Sequence, residues 1–84
     1  MLHRVFSIYD HACEAYMRPF LAPTKGVAIR SFSELAQDTN HEVGKYPEQY
    51  TLFELGSWED TNALYDLHDT PLPIGKGHEF IKSV

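Results

Sequence analysis

One segment, Lys25 to Asp38, carries its apolar residues at helical spacing, and strand-like or proline-bracketed segments stand on both sides of it. Ala28, Ile29, Phe32, Leu35 and Ala36 fall on a single stripe. Thr24 occupies the position of a helix N-cap. Arg30 and Glu34 sit four apart on the outer face, a weakly stabilising pair, and Asp38-Thr39-Asn40-His41 ends the helix. A single amphipathic helix can cover only one face of a sheet. The second face, or an edge, is then the natural place for a dimer partner or a ligand.

The strands are read from their side chains. Arg4 to Tyr9 is β-branched or aromatic at nearly every position, with Phe6 and Ile8 on one side and Val5, Ser7 and Tyr9 on the other. Asp10 and His11 suit a turn, and Cys13 to Met17 can return as a second strand. Arg18 to Pro23 is bracketed by prolines and must be extended. Residues 40–49 read as a loop around Gly44 and Pro47. Tyr50 to Leu55 is the most secure strand, Gly56 to Asn62 a turn, and Ala63 to His68 the strand that pairs back. The expected fold is α+β: a small, mostly antiparallel sheet of about four strands with one helix packed on one face. Residues 1–69 form the domain. Residues 70–84, with Pro71, Pro73, Gly75 and Gly77 close together, are expected as an extended or disordered tail.

At 84 residues the chain is one domain whose core is small enough for a partner subunit to be needed. Its 43% hydrophobic and 13% aromatic content belong to a folded globule rather than a disordered chain. No apolar run approaches the ~20 residues of a membrane helix. Asp10 interrupts the N-terminus before a signal-type stretch can form, and the lone Cys13 fits a reducing cytoplasm. The net charge of −5 is uneven: residues 31–69 hold nine acids against Lys45 alone, whereas residues 1–30 are net positive. That balance does not suit bulk coating of nucleic acid, but leaves room for a local basic face.

No catalytic or metal constellation is expected. The five histidines and Cys13 lack the paired spacing of a zinc site. His11 and Cys13, two apart, do not bring their tips into the geometry of a nucleophile and its base. Gly75-Lys76-Gly77 lacks the strand and helix of a phosphate loop. Glu59 and Asp60 read as turn residues. The eleven aromatics exceed what so small a core can bury. Tyr9, Tyr16, Tyr46 and Trp58 lie next to turns or cations, and two uses are open for them: stacking on the bases of a single strand, or a subunit interface.

Four short motifs carry a resemblance. They are Phe6-Ser7-Ile8-Tyr9-Asp10, Tyr16 followed by Pro19-Phe20, Ala28-Ile29-Arg30-Ser31-Phe32, and Gly44-Lys45-Tyr46-Pro47-Glu48-Gln49-Tyr50 leading to Leu52 and Gly56. In order and spacing the chain resembles, over residues 4–60, the small nonstructural protein of gokushovirus-type microviruses, the phage open-reading-frame-five family. The family's turn Gly-x-(Phe/Tyr)-acid-acid stands here as Gly56-Ser57-Trp58-Glu59-Asp60; the tail after Asp69 matches nothing in it.

The resemblance implies a phage accessory protein of the host bacterial cytoplasm, active in genome replication and packaging. It would bind single-stranded DNA during the switch to single-stranded genome synthesis. The alternative is a homo-oligomeric adaptor contacting host replication proteins or the procapsid, without DNA binding. No cofactor, membrane association or enzymatic activity is expected, and a homo-oligomer is. Chemistry selects the residues of a DNA face: Arg4, Tyr16, Arg18, Lys25, Arg30, Lys45 and Tyr46.

Overall fold

The computed structural model describes residues 1–81. Its strands are β1 (Leu2–Asp10), β2 (Ala15–Tyr16), β3 (Phe20–Ala22), β4 (Tyr50–Glu59) and β5 (Leu64–Lys76); its helices are α1 (Lys25–Gln37) and a single turn, α2 (Glu42–Lys45). Short 3₁₀ turns cover Pro47–Gln49 and Gly77–Phe80. The sheet is antiparallel and curled, in the order β2-β1-β4-β5, with β3 following β2 along the same edge of β1. The expected α+β fold, one main helix on a small antiparallel sheet, is the fold observed.

Period-two alternation on β1 sets the layers. Phe6 and Ile8 point toward α1 and join Leu52, Tyr50, Ala22 and Phe32 in the core. On α1, Ala28, Phe32 and Ala36 repeat every four residues and are buried, so two alanines flank one ring and let the helix lie close to the sheet. Thr24 caps the helix, its hydroxyl accepting the Val27 N–H at 3.2 Å.

Several boundaries differ from the sequence expectation. The second strand is only Ala15–Tyr16. The loop expected at 40–49 contains α2, whose His41 Nδ1 accepts the Val43 N–H at 3.1 Å and whose Val43 is fully buried. One helical turn is too short to show a period. Gly44 is required there, since a Cβ would collide with the Asp38 carbonyl and lie 3.0 Å from that of Leu35.

Gly56 does not end its strand. It opposes Val5 at a bulge that leaves Leu55 as the extra residue, and β4 continues with Ser57, Trp58 and Glu59 opposite Arg4, His3 and Leu2. Its φ of +153° and the Leu67 Cα at 2.6 Å from a Cβ position exclude any side chain. The turn is instead confined to residues 60–63, with Ala63 in the left-handed region at φ 60°. The resulting β4–β5 hairpin extends past the N-terminal end of α1 and lengthens the molecule to 42 Å.

The chain after Asp69 belongs to the fold. β5 runs to Lys76, and Phe80 packs edge-on against Phe32 with ring centroids 5.8 Å apart while its carbonyl accepts the Ser33 hydroxyl at 2.8 Å. The prolines and glycines that suggested a tail sit on an edge strand and in a close turn, where both are tolerated. The end of the expected tail, residues 82–84, lies outside the described residues.

Two outcomes follow from this packing. Phe80→Ala should lower unfolding free energy by about 2–3 kcal/mol in urea denaturation; no loss would mean the segment is not part of the core. Tyr50 is buried, its hydroxyl donating to Glu42 at 3.4 Å. Burial, then the negative charges of Asp10 and Glu42, push its pKa from 10.0 up to about 12. The fold therefore favours the neutral phenol, a contribution complete below pH 10 and lost as pH rises through about 12. Alkaline denaturation should show this loss, and Tyr50→Phe should remove it.

Candidate nucleic-acid interface

Residues paired across an antiparallel ladder share a face, so the register maps the side of the sheet that α1 leaves uncovered. At one end a row crosses all four strands: Tyr16, Tyr9, Thr51 and Lys76. Beside it lie Ser7, Phe53 and Pro73, then Leu21, Val5, Gly56 and Leu67. At the hairpin end the row is His3, Trp58 and Tyr65.

The rings touch. Tyr9 and Tyr16 have centroids 4.8 Å apart, Tyr16 and Phe53 5.5 Å, Tyr9 and Phe53 6.2 Å, all edge-to-face. His11 stands edge-on to Tyr9 at 4.8 Å, and its Nε2 lies 2.8 Å from the Thr51 hydroxyl. A second row, of tilted rings, joins His3 to Trp58 at 5.6 Å and Trp58 to Tyr65 at 6.5 Å. Tyr16 is 46% exposed and Tyr65 61%. Beneath the rings, Val5, Ser7 and Thr51 are buried although no helix covers them. The Ser7 hydroxyl donates to the Met17 carbonyl at 2.7 Å, which ties β2 down beside the cluster.

Charge is divided between the two sides. Of the five acids of the long strands, Asp10, Glu54, Glu59 and Asp66 alternate onto the α1 side; Asp69, in the part of β5 without a β4 partner, follows the side of Leu67, and the paired rows of the open face hold Lys76 and His3. On the α1 side Glu54 is buried and fully engaged: Arg4 donates to Oε1 at 3.0 Å, and His68 Nε2 lies 2.8 Å from Oε2. At the far turn, His3 Nε2 meets Asp60 at 3.2 Å. Asp60 is held below the usual carboxylate range by the adjoining terminal ammonium and by His3.

The seven residues expected to form a DNA face do not gather. Tyr16 alone is on the open face. Arg4, paired with Glu54, shares a pocket of about 270 Å³ with Lys25 at the start of α1. Arg18 borders a separate apolar groove of about 440 Å³ between α1 and the β2–β3 connection, lined also by Met17, Phe20 and Leu35. Arg30 is exposed on α1. Lys45 and Tyr46 lie on α2 and just after it, beyond the other end of α1 from Lys25. The thirteen residues of α1 put about 20 Å between those ends.

Sequence reasoning overlooked Phe53, Tyr65 and Lys76. The signal was available for Phe53, which follows the alternation of Tyr50–Leu55, but not for the others, whose faces depend on where β5 pairs. Cys13 is exposed and donates to Asp10 at 3.3 Å; that hydrogen bond pushes its thiol pKa up, which disfavours the reactive thiolate. Among the described residues no group of acids, histidines and cysteine is arranged to hold a metal, and no helix is long and apolar enough to cross a membrane.

The family described as Phage ORF5 protein matches residues 3–80. The chain belongs to that family. The ORF5 match extends twenty residues beyond the 4–60 covered by the sequence resemblance and takes in all of β5 and Phe80, the part of the chain that closes the core. Neither the curated proteins nor the solved structures contain a match.

Proposed function

We propose that this phage protein binds single-stranded DNA on the open face of its sheet, as a nonstructural accessory of genome replication and packaging in a microvirus of the gokushovirus type. The observation that carries the reading is the sidedness of the sheet. Aromatic rings and Lys76 occupy the face without a helix, while four of the five strand acids, Asp10, Glu54, Glu59 and Asp66, alternate onto the other.

A base has two π-faces and no net charge, so stacking on a ring needs an exposed aromatic rather than a basic surface. Tyr16, Tyr9 and Phe53 on neighbouring strands offer such rings close together. Lys76, one row-mate away, supplies a cation for the backbone. Stacking is worth ~1–3 kcal/mol per base and tolerates any sequence, as a protein that meets a whole genome requires. No chemical step is involved. The competing reading, an adaptor for host replication proteins or the procapsid, would use the same exposed rings as a protein contact.

Anisotropy of a labelled single-stranded oligonucleotide, titrated at several salt concentrations, tests the proposal. Binding should be micromolar and weaken with salt. Phe53→Ala and Tyr16→Ala should each reduce affinity by about 5- to 100-fold. Arg18→Glu with Lys45→Glu should have a smaller effect, because both lie in the helix layer. A reversed order of effects would move the DNA to the α1 side. Absence of binding at low salt would leave the adaptor.

A further inference from the structure

β5 is the outermost strand of the sheet, and its first half is built unlike an edge that stays alone. Proteins protect a free edge with charged residues (lysine above all), proline, a bulge or a short strand. The opposite edge is made of two short strands, β2 and β3. On β5, Pro71, Pro73 and Lys76 guard the second half only. Leu64 to Thr70 contains neither proline nor lysine; its charges are Asp66 and Asp69, and between them and before them Leu64 is 66% exposed, Tyr65 61% and Leu67 58%. His68 to Pro71 have no partner on β4, because Leu67 opposes Gly56 and the ladder resumes only at Leu72 opposite Glu54.

We propose that β5 pairs with β5 of a second copy of this chain, antiparallel about a two-fold axis at Leu67. The register follows from chemistry. In an antiparallel ladder, directly opposed residues are of the same hydrogen-bonding type, and type alternates along a strand. A residue can therefore oppose itself or one an even number of places away. An axis at Asp66 sets two aspartates against each other, and like charges directly opposed are destabilising. An axis at His68 opposes two imidazoles and places Leu67 against Asp69.

An axis at Leu67 opposes the two leucines, and it places Asp66 opposite His68 of the second copy twice, by symmetry. His68 donates Nε2–H to Glu54, and among the described residues its Nδ1 has no partner; in the imidazolium form its Nδ1–H donates to the carboxylate. Leu64 then faces Thr70, and Tyr65 faces Asp69. Leu67 and Tyr65 belong to the open face, so the pairing joins the aromatic faces of two copies into one surface with the His3–Trp58–Tyr65 rows at its centre.

Dimerisation is measured without DNA, so it stands or falls apart from the preceding reading. Sedimentation of the full chain at tens of micromolar should give a dimer, and Leu67→Lys, which opposes two cations, should give a monomer with an unchanged far-UV circular dichroism spectrum. In a Cys13→Ser background, Leu67→Cys should form an interchain disulfide on mild oxidation, while Asp66→Cys should not. A monomeric parent chain would overturn the proposal, as would a dimer that survives Leu67→Lys. Crosslinking through Asp66→Cys but not Leu67→Cys would overturn the register.

Discussion

The packing of Phe6 and Ile8 against Phe32 is the interaction on which the remaining structure depends. It orients β1, and because strand side chains alternate, orienting one pair orients every odd residue of β1 the other way. β4 inherits the choice through nine paired positions, and β5 inherits it from β4. One helix thirteen residues long then covers one side of the sheet. The exposed aromatic face is thus a consequence of how the core is filled.

The same constraint resolves an apparent conflict between charge and function. A chain of net charge −5 is a poor ligand for DNA if its charge is smeared over the surface. Alternation puts four of the five strand acids on one side. Glu54 lies in the helix layer, held by Arg4 and His68, and Glu59 and Asp66 follow the same side of the hairpin. The bulge at Gly56 keeps this partition intact where the strand bends: Val5 opposes a glycine there, and the residues beyond resume their sides with Trp58 open and Glu59 opposite.

Most of the fold was legible in the sequence because its elements carry local signals. The alternation of Arg4–Tyr9, the helical stripe ending at Ala36 and the Thr24 cap each depend on residues within one or two turns. What the sequence did not convey depends on distant partners. Nothing local says that Gly56 continues a strand instead of ending one, since the continuation is enforced by His3 and Leu2 fifty residues away in sequence. Likewise Pro71, Pro73 and Gly75 read as a tail until β4 supplies their neighbours. For the candidate site, grouping cations with nearby rings along the chain favoured Arg18 and Lys45, whereas the fold groups residues by strand register, which brings Tyr9, Tyr16 and Phe53 together and leaves the cations in the helix layer.

On this reading the uncovered side of the sheet is the working surface. Amide and side-chain chemical-shift mapping on addition of a short single-stranded oligonucleotide tests it most directly. Tyr9, Tyr16, Phe53 and Lys76 should shift while the exposed positions of α1 and α2 stay in place. Shifts confined to Lys25, Arg30 and Lys45, with the aromatic face unmoved, would contradict it.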